Sequence, residues 1–117
     1  MTDKRVLTIQ DISCFGQCSL TVALPIISAC GIETAVIPSA VLSTHTSGFT
    51  GYTCRDLAED IPKIRDHWME TGIRFDAVYT GYLGTPEMIA DVLSIMRELG
   101  TENSINIVDP AMADEGV

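Results

Sequence analysis

Strand-like and helix-like stretches alternate along almost the whole of this chain, and that alternation constrains the fold more than any single motif. Residues 5–9 (RVLTI), 32–38 (IETAVIP), 75–80 (FDAVYT) and 105–108 (INIV) are short, apolar and rich in β-branched side chains, as buried strands are. Residues 19–30 are almost wholly apolar, too long for one strand, and stop at Gly31, a good residue just past a helix end. A helix apolar on every side is expected to be buried. Pro25 has no N–H to donate, so it kinks that helix or marks its proper start. Residues 39–53 are rich in hydroxyls and glycine and read as a long loop, a place where function often sits.

Two further helices follow. Leu57, Ile61, Ile64 and Trp68 recur at helical spacing, with Arg55, Glu59, Lys63 and Asp66 turned outward. Pro62 should split this stretch, with Asp60 as a cap and Gly72 as the stop. Thr85-Pro86-Glu87 is a helix start: a hydroxyl cap, proline in the first turn, and an acid near the positive end of the dipole. Met88, Ile89, Val92, Leu93, Met96 and Leu99 form its expected buried face, and Gly100 ends it.

This order predicts an α/β fold: a three-layer αβα arrangement around a mostly parallel sheet covered on both faces. Right-handed connections then bring Asp11, Gly81 with Tyr82, and Asp109 to one sheet edge, the carboxyl edge where open α/β sheets bind ligands. The 117 residues suit one domain, spanning 1–117. With 46% hydrophobic and 20% charged residues the chain should fold rather than stay disordered. A net charge of -9 argues against a nucleic-acid or anionic-membrane surface. No targeting signal and no run of about 18 apolar residues is visible, so the expected place is the cytoplasm. Cys14, Cys18, Cys30 and Cys54 then read as thiols that pack as small hydrophobes, without the partners a zinc site needs.

The chemistry-bearing residues crowd a few junctions. Residues 10–21 (QDISCFGQCSLT) join the first strand to the first helix. Asp11 there could accept hydrogen bonds from a ligand or cap the next element. His45 and Thr46 lie among hydroxyls in the long loop, which could hold a polar ligand or simply be solvated. Tyr82 could stack on a planar ligand or cover the sheet rim. Asp109 and Asp114 flank Pro110-Ala-Met-Ala, an arrangement suited to Mg²⁺ held through water near phosphates, or to an ordinary turn. There is no P-loop, no dinucleotide-binding glycine fingerprint and no nucleophile elbow.

Taken together, VLTIQDISCFGQCSLTVALPIISACGIETAVIPSAVLSTHT, FDAVYTGYLGT and IVDPAMAD make the chain resemble the pyridoxal/pyridoxamine kinase family of the ribokinase-like superfamily. The resemblance runs from Val6 to Asp114. It implies ATP-dependent phosphorylation of the 5′-hydroxyl of a B6 vitamer, with ATP as co-substrate and Mg²⁺ as cofactor. It further implies Asp11, Cys18, His45, Thr46 and Tyr82 as vitamer contacts, and Asp109 and Asp114 as acids near the metal and the ATP phosphates. Ala113 stands where the family usually has glycine. The family's nucleotide-binding half and catalytic aspartate are not in this sequence. The expectation is therefore the amino-terminal part of such a kinase, with no catalytic residue of its own, inactive alone, and self-associating as a homodimer or larger species. The rival readings are a hydroxymethylpyrimidine kinase of the same superfamily and a non-catalytic, self-associating binding domain.

Overall fold

The computed structural model describes residues 4–16, 20–44, 48–81, 83 and 85–108. Its elements are β1 (Arg5–Phe15), α1 (Leu20–Ala29), β2 (Glu33–Thr44), β3 (Cys54–Asp56), α2 (Ile61–Thr71), β4 (Phe75–Thr80), α3 (Pro86–Leu99) and β5 (Gly100–Val108). The sheet has the order β3-β2-β1-β4-β5. β1 lies parallel to β2 and β4, and β4 parallel to β5; β3 alone is antiparallel. The expected α/β fold with a mostly parallel sheet is therefore present.

Connections from β1 run one way, through α1 to β2, while those from β4 run the other way, through α3 to β5. Right-handed crossovers then put α1 on one face and α2 and α3 on the opposite face. The core lies under α2 and α3. Leu7, Ile9, Ile37, Phe75 and Val78 of the sheet meet Ile61 of α2 and Met88, Val92, Ile95 and Leu99 of α3, all essentially inaccessible. Each such side chain contributes about 1.5–3 kcal/mol by leaving water.

Several expectations need correction. β1 and β2 run on to Phe15 and Thr44, because Ile12, Ser13 and Phe15 continue to pair with Val41, Leu42 and Thr44 past a bulge. Backbone pairing does not require apolar side chains, so the polar stretch from Gln10 is strand rather than turn. The loop expected at 39–53 is correspondingly shorter and leads to β3, a strand of three residues. α1 is not buried: Pro25, Ile26, Ser28 and Ala29 are exposed, since it covers only β1 and β2 and among the described residues nothing packs on its outer side. Asp60 stands at the N-cap of α2 but makes no side-chain capping bond. Cys14, Cys30 and Cys54 are free thiols, as expected, but exposed rather than packed. No helix among the described residues is long and apolar enough to cross a membrane.

The other ends of α2 and α3 are punctuated as read. Gly72 closes α2 in the left-handed conformation, φ 78°, with its N–H donating to the Met69 carbonyl. Thr85 caps α3, its Oγ1 accepting from the Met88 N–H at 3.1 Å. Thr85→Ala is expected to lower stability by about 1 kcal/mol, read from urea unfolding. α3 buries Met88, Val92, Ile95 and Leu99, whereas Ile89 and Leu93 face solvent. The outer edge of the sheet is open as well: Ile105, Ile107 and Val108 of β5 are each at least half exposed.

Candidate functional site

In a sheet wound in both directions, ligands bind where the winding reverses, at the carboxyl ends of the strands. Here that point lies between β1 and β4. β4 ends at Thr80, which pairs with Ile9, while β1 continues six residues further to Phe15. The overhang of β1 beyond β4 forms one wall of a crevice, and Asp11 is on that overhang, half-buried.

Alternation of side chains along a strand fixes which face each residue occupies. Gln10 lies on the α1 face, 5% exposed, with its Nε2 donating to Thr8 Oγ1 at 3.1 Å. Gly81 donates its N–H to the Ile9 carbonyl at 3.0 Å. A Cβ on Gly81 would come within 3.0 Å of the Gln10 Oε1, so glycine lets the two strand ends close up here. Asp11 and Thr80 then occupy the opposite face, with α2 and α3. That face is apolar at its centre (Leu7, Ile9, Ile37, Val78) and turns polar towards the carboxyl edge, where Asp11, Ser13, Thr44 and Thr80 stand.

Of the site residues expected from sequence, Asp11 is therefore at the predicted edge. Cys18, His45, Thr46, Tyr82, Asp109 and Asp114 lie outside the described residues, but the elements they follow converge on this edge: β1, β2, β4 and β5 run parallel and end there. Among the described residues no group of three or more acidic, His or Cys side chains could hold a metal ion. Sequence reasoning missed Thr80 and Thr44, whose hydroxyls are buried with no hydrogen-bond partner among the described residues; nothing in the sequence distinguishes them from ordinary strand threonines. A separate cavity of about 400 Å³, lined by Lys4, Asp76, Thr101 and Glu102 among others, opens at the other, amino-terminal edge, away from this crevice.

This sheet order and switch-point crevice define a ribokinase-like α/β domain. No protein-family model matches the chain. It is 30% identical to the candidate pyridoxal kinase BUD17 of Saccharomyces cerevisiae over 98% of its own length and 38% of that protein. Among solved structures it matches a candidate phosphomethylpyrimidine kinase of Bacteroides thetaiotaomicron, crystallised with pyridoxal, at TM-score 0.91 and 37% identity; the match covers 99% of this chain and 40% of that one. The pyridoxal kinase of Lactobacillus plantarum follows at TM-score 0.83 and 30% identity, covering 91% of this chain and 37% of that one. The chain is similar to the amino-terminal part of these kinases. It spans about 40% of the length of the relatives it matches.

Proposed function

We propose that this chain carries the vitamer-binding part of an ATP-dependent kinase acting on the 5′-hydroxyl of pyridoxal, pyridoxamine or pyridoxine. The observation that carries the reading is the likeness to the Bacteroides relative crystallised with pyridoxal, together with a carboxylate at the switch-point crevice. In this reading Asp11 accepts hydrogen bonds from the polar substituents of the pyridine ring. Cys18, His45, Thr46 and Tyr82 complete the vitamer pocket. Asp109 and Asp114 lie towards the ATP phosphates and hold Mg²⁺ through water, a hard-cation role that suits carboxylates. The metal supplies charge neutralisation when bound; this chain's own contribution is binding and orientation. Its place is the cytoplasm, in keeping with free, exposed thiols.

Titration calorimetry with pyridoxal, pyridoxine, hydroxymethylpyrimidine and ATP tests the assignment. Binding of a B6 vitamer in preference to the pyrimidine is the expected result. Asp11→Asn keeps the side-chain shape but removes the charge, and should weaken vitamer binding about tenfold, the scale of a charged hydrogen bond. The pyrimidine kinase is the second reading, because the same Bacteroides relative is itself described as a candidate phosphomethylpyrimidine kinase. Binding of the pyrimidine with no response to any vitamer would select it.

The open sheet edge bears on assembly. Among the described residues β5 is unpaired on its outer side, and residues 103–108 (NSINIV) carry no charge to discourage strand addition. Ile105, Ile107 and Val108 present apolar surface at that edge. The 117-residue chain is therefore expected to run as a dimer or larger species in light scattering. Ile105→Lys with Ile107→Lys should return it to a monomer; a monomeric parent at high concentration would contradict this.

A further inference from the structure

The Thr80 side chain is fully buried at the carboxyl end of β4, and among the described residues its hydroxyl has no hydrogen-bond partner. A buried hydroxyl without a partner costs free energy, so natural proteins rarely leave one unless something else completes it. Its described neighbours on the same sheet face, Ile9, Val78 and, across from it on β5, Val108, have apolar side chains and offer it nothing. Its position is not neutral either. It is the last residue of β4, at the point where the winding of the sheet reverses. Asp11 lies on the same face, two residues beyond the Thr80 partner Ile9 on the adjacent strand. From the rise along a strand and the spacing between strands, their Cα atoms are about 8 Å apart. That is close enough for one small ring to meet both side chains.

We propose that Thr80 is a further polar contact of the substrate site, and that the bound heteroaromatic alcohol supplies the partner its hydroxyl lacks. Asp11 and Thr80 then grip one ligand from adjacent strands, the carboxylate near the rim and the hydroxyl at the inner end. The fold keeps the hydroxyl unpaired in the free chain, and binding relieves that cost, which adds to affinity for a ligand with a polar group at that point. This inference rests on the vitamer reading of the same crevice.

Thr80→Val is isosteric and removes only the hydroxyl, and Thr80→Ser restores it. Calorimetry with pyridoxal on the 117-residue chain is expected to show about five- to tenfold weaker binding for Thr80→Val, and near-parental binding for Thr80→Ser. Thermal melting without ligand is expected to show Thr80→Val as stable as the parent or more so, because no internal hydrogen bond is lost. A ligand-free Thr80→Val chain that melts well below the parent would show the hydroxyl already partnered within the fold, and would overturn the proposal. So would unchanged pyridoxal affinity in a chain whose parent binds pyridoxal. If the parent binds no vitamer at all, the functional reading fails, and this inference falls with it.

Discussion

Incubated with pyridoxal, ATP and Mg²⁺, the 117-residue chain alone is expected to form no 5′-phosphate above background. Joined to the carboxy-terminal part of its Bacteroides relative, it is expected to do so. Phosphoryl transfer asks the protein for positioning and charge neutralisation rather than covalent chemistry. Holding two reactants in line is worth effective molarities of about 10⁵–10⁸ M, and that advantage needs both substrates on one scaffold. In the proposed reading the crevice between β1 and β4 holds one small substrate, while the chain covers only 40% of the relative it matches at TM-score 0.91. The family resemblance puts the nucleotide pocket and the proton-accepting aspartate in the remainder. Asp11 does not substitute for that aspartate, because its role in the reading is to hold the ring rather than to take a proton from the 5′-hydroxyl. The loss should exceed about four orders of magnitude, read as release of ADP or as the absorbance of the phosphorylated product. Turnover by the short chain within tenfold of the joined protein would show that the chemistry resides in residues 1–117 after all.

The parts of this fold that could be read from sequence are those set by local physics. β4 runs over the six residues expected, Phe75–Thr80, because an apolar, β-branched run stands between Arg74 and Gly81. The start of α3 was legible for the same kind of reason, since Thr85 and Pro86 act within one turn. What was not legible depends on neighbours. β1 overruns its apolar run by six residues because β2 is there to pair with it. β3 exists only because Ala40, Val41 and Leu42 offer an edge to Asp56, Arg55 and Cys54. The apolar stripe of α3 was wide enough to suggest Ile89 and Leu93 for the core, but packing selected Ile95, which lies on the Val92 and Leu99 side. The site divides in the same way. Asp11 could be placed from its position after a strand-like run, whereas the orphaned hydroxyl of Thr80 depends on which partners the fold withholds.

Phe75→Ala is expected to be the most damaging single truncation in the core. Phe75 is fully buried at the start of β4, and its ring centroid lies 5.5 Å from that of Trp68 at a tilt of 54°. It belongs to the cluster in which Leu7 and Val78 of the sheet meet Ile61, Ile95 and Leu99 of the helices, so the lost ring leaves a cavity that rigid neighbours cannot close. Such a change costs about 3–5 kcal/mol, against a total of about 5–15 kcal/mol for a typical domain. This chain should sit towards the lower end of that range, because its sheet is covered unevenly. α1 shields β1 and β2 only, and β5 leaves Ile105, Ile107 and Val108 in water, so less apolar area is withdrawn than in a sheet with both layers complete. Phe75→Ala should therefore lower the melting midpoint by more than about 10 °C, while Phe75→Leu, which keeps most of the volume, should cost about 1–1.5 kcal/mol. Trp68 is the single tryptophan of the chain and packs on this ring, so its fluorescence reports the transition directly. The same measurement bears on the crevice. Phe75 and Thr80 are the two ends of β4, and a substitution at the first end that melts the strand must also release the second. Loss of vitamer binding in Phe75→Ala should track its unfolded fraction, whereas loss in Thr80→Val should appear with the fold intact. A Phe75→Ala chain as stable as its parent would mean that the interior is centred elsewhere, and that β4 is not the strand that holds the site in place.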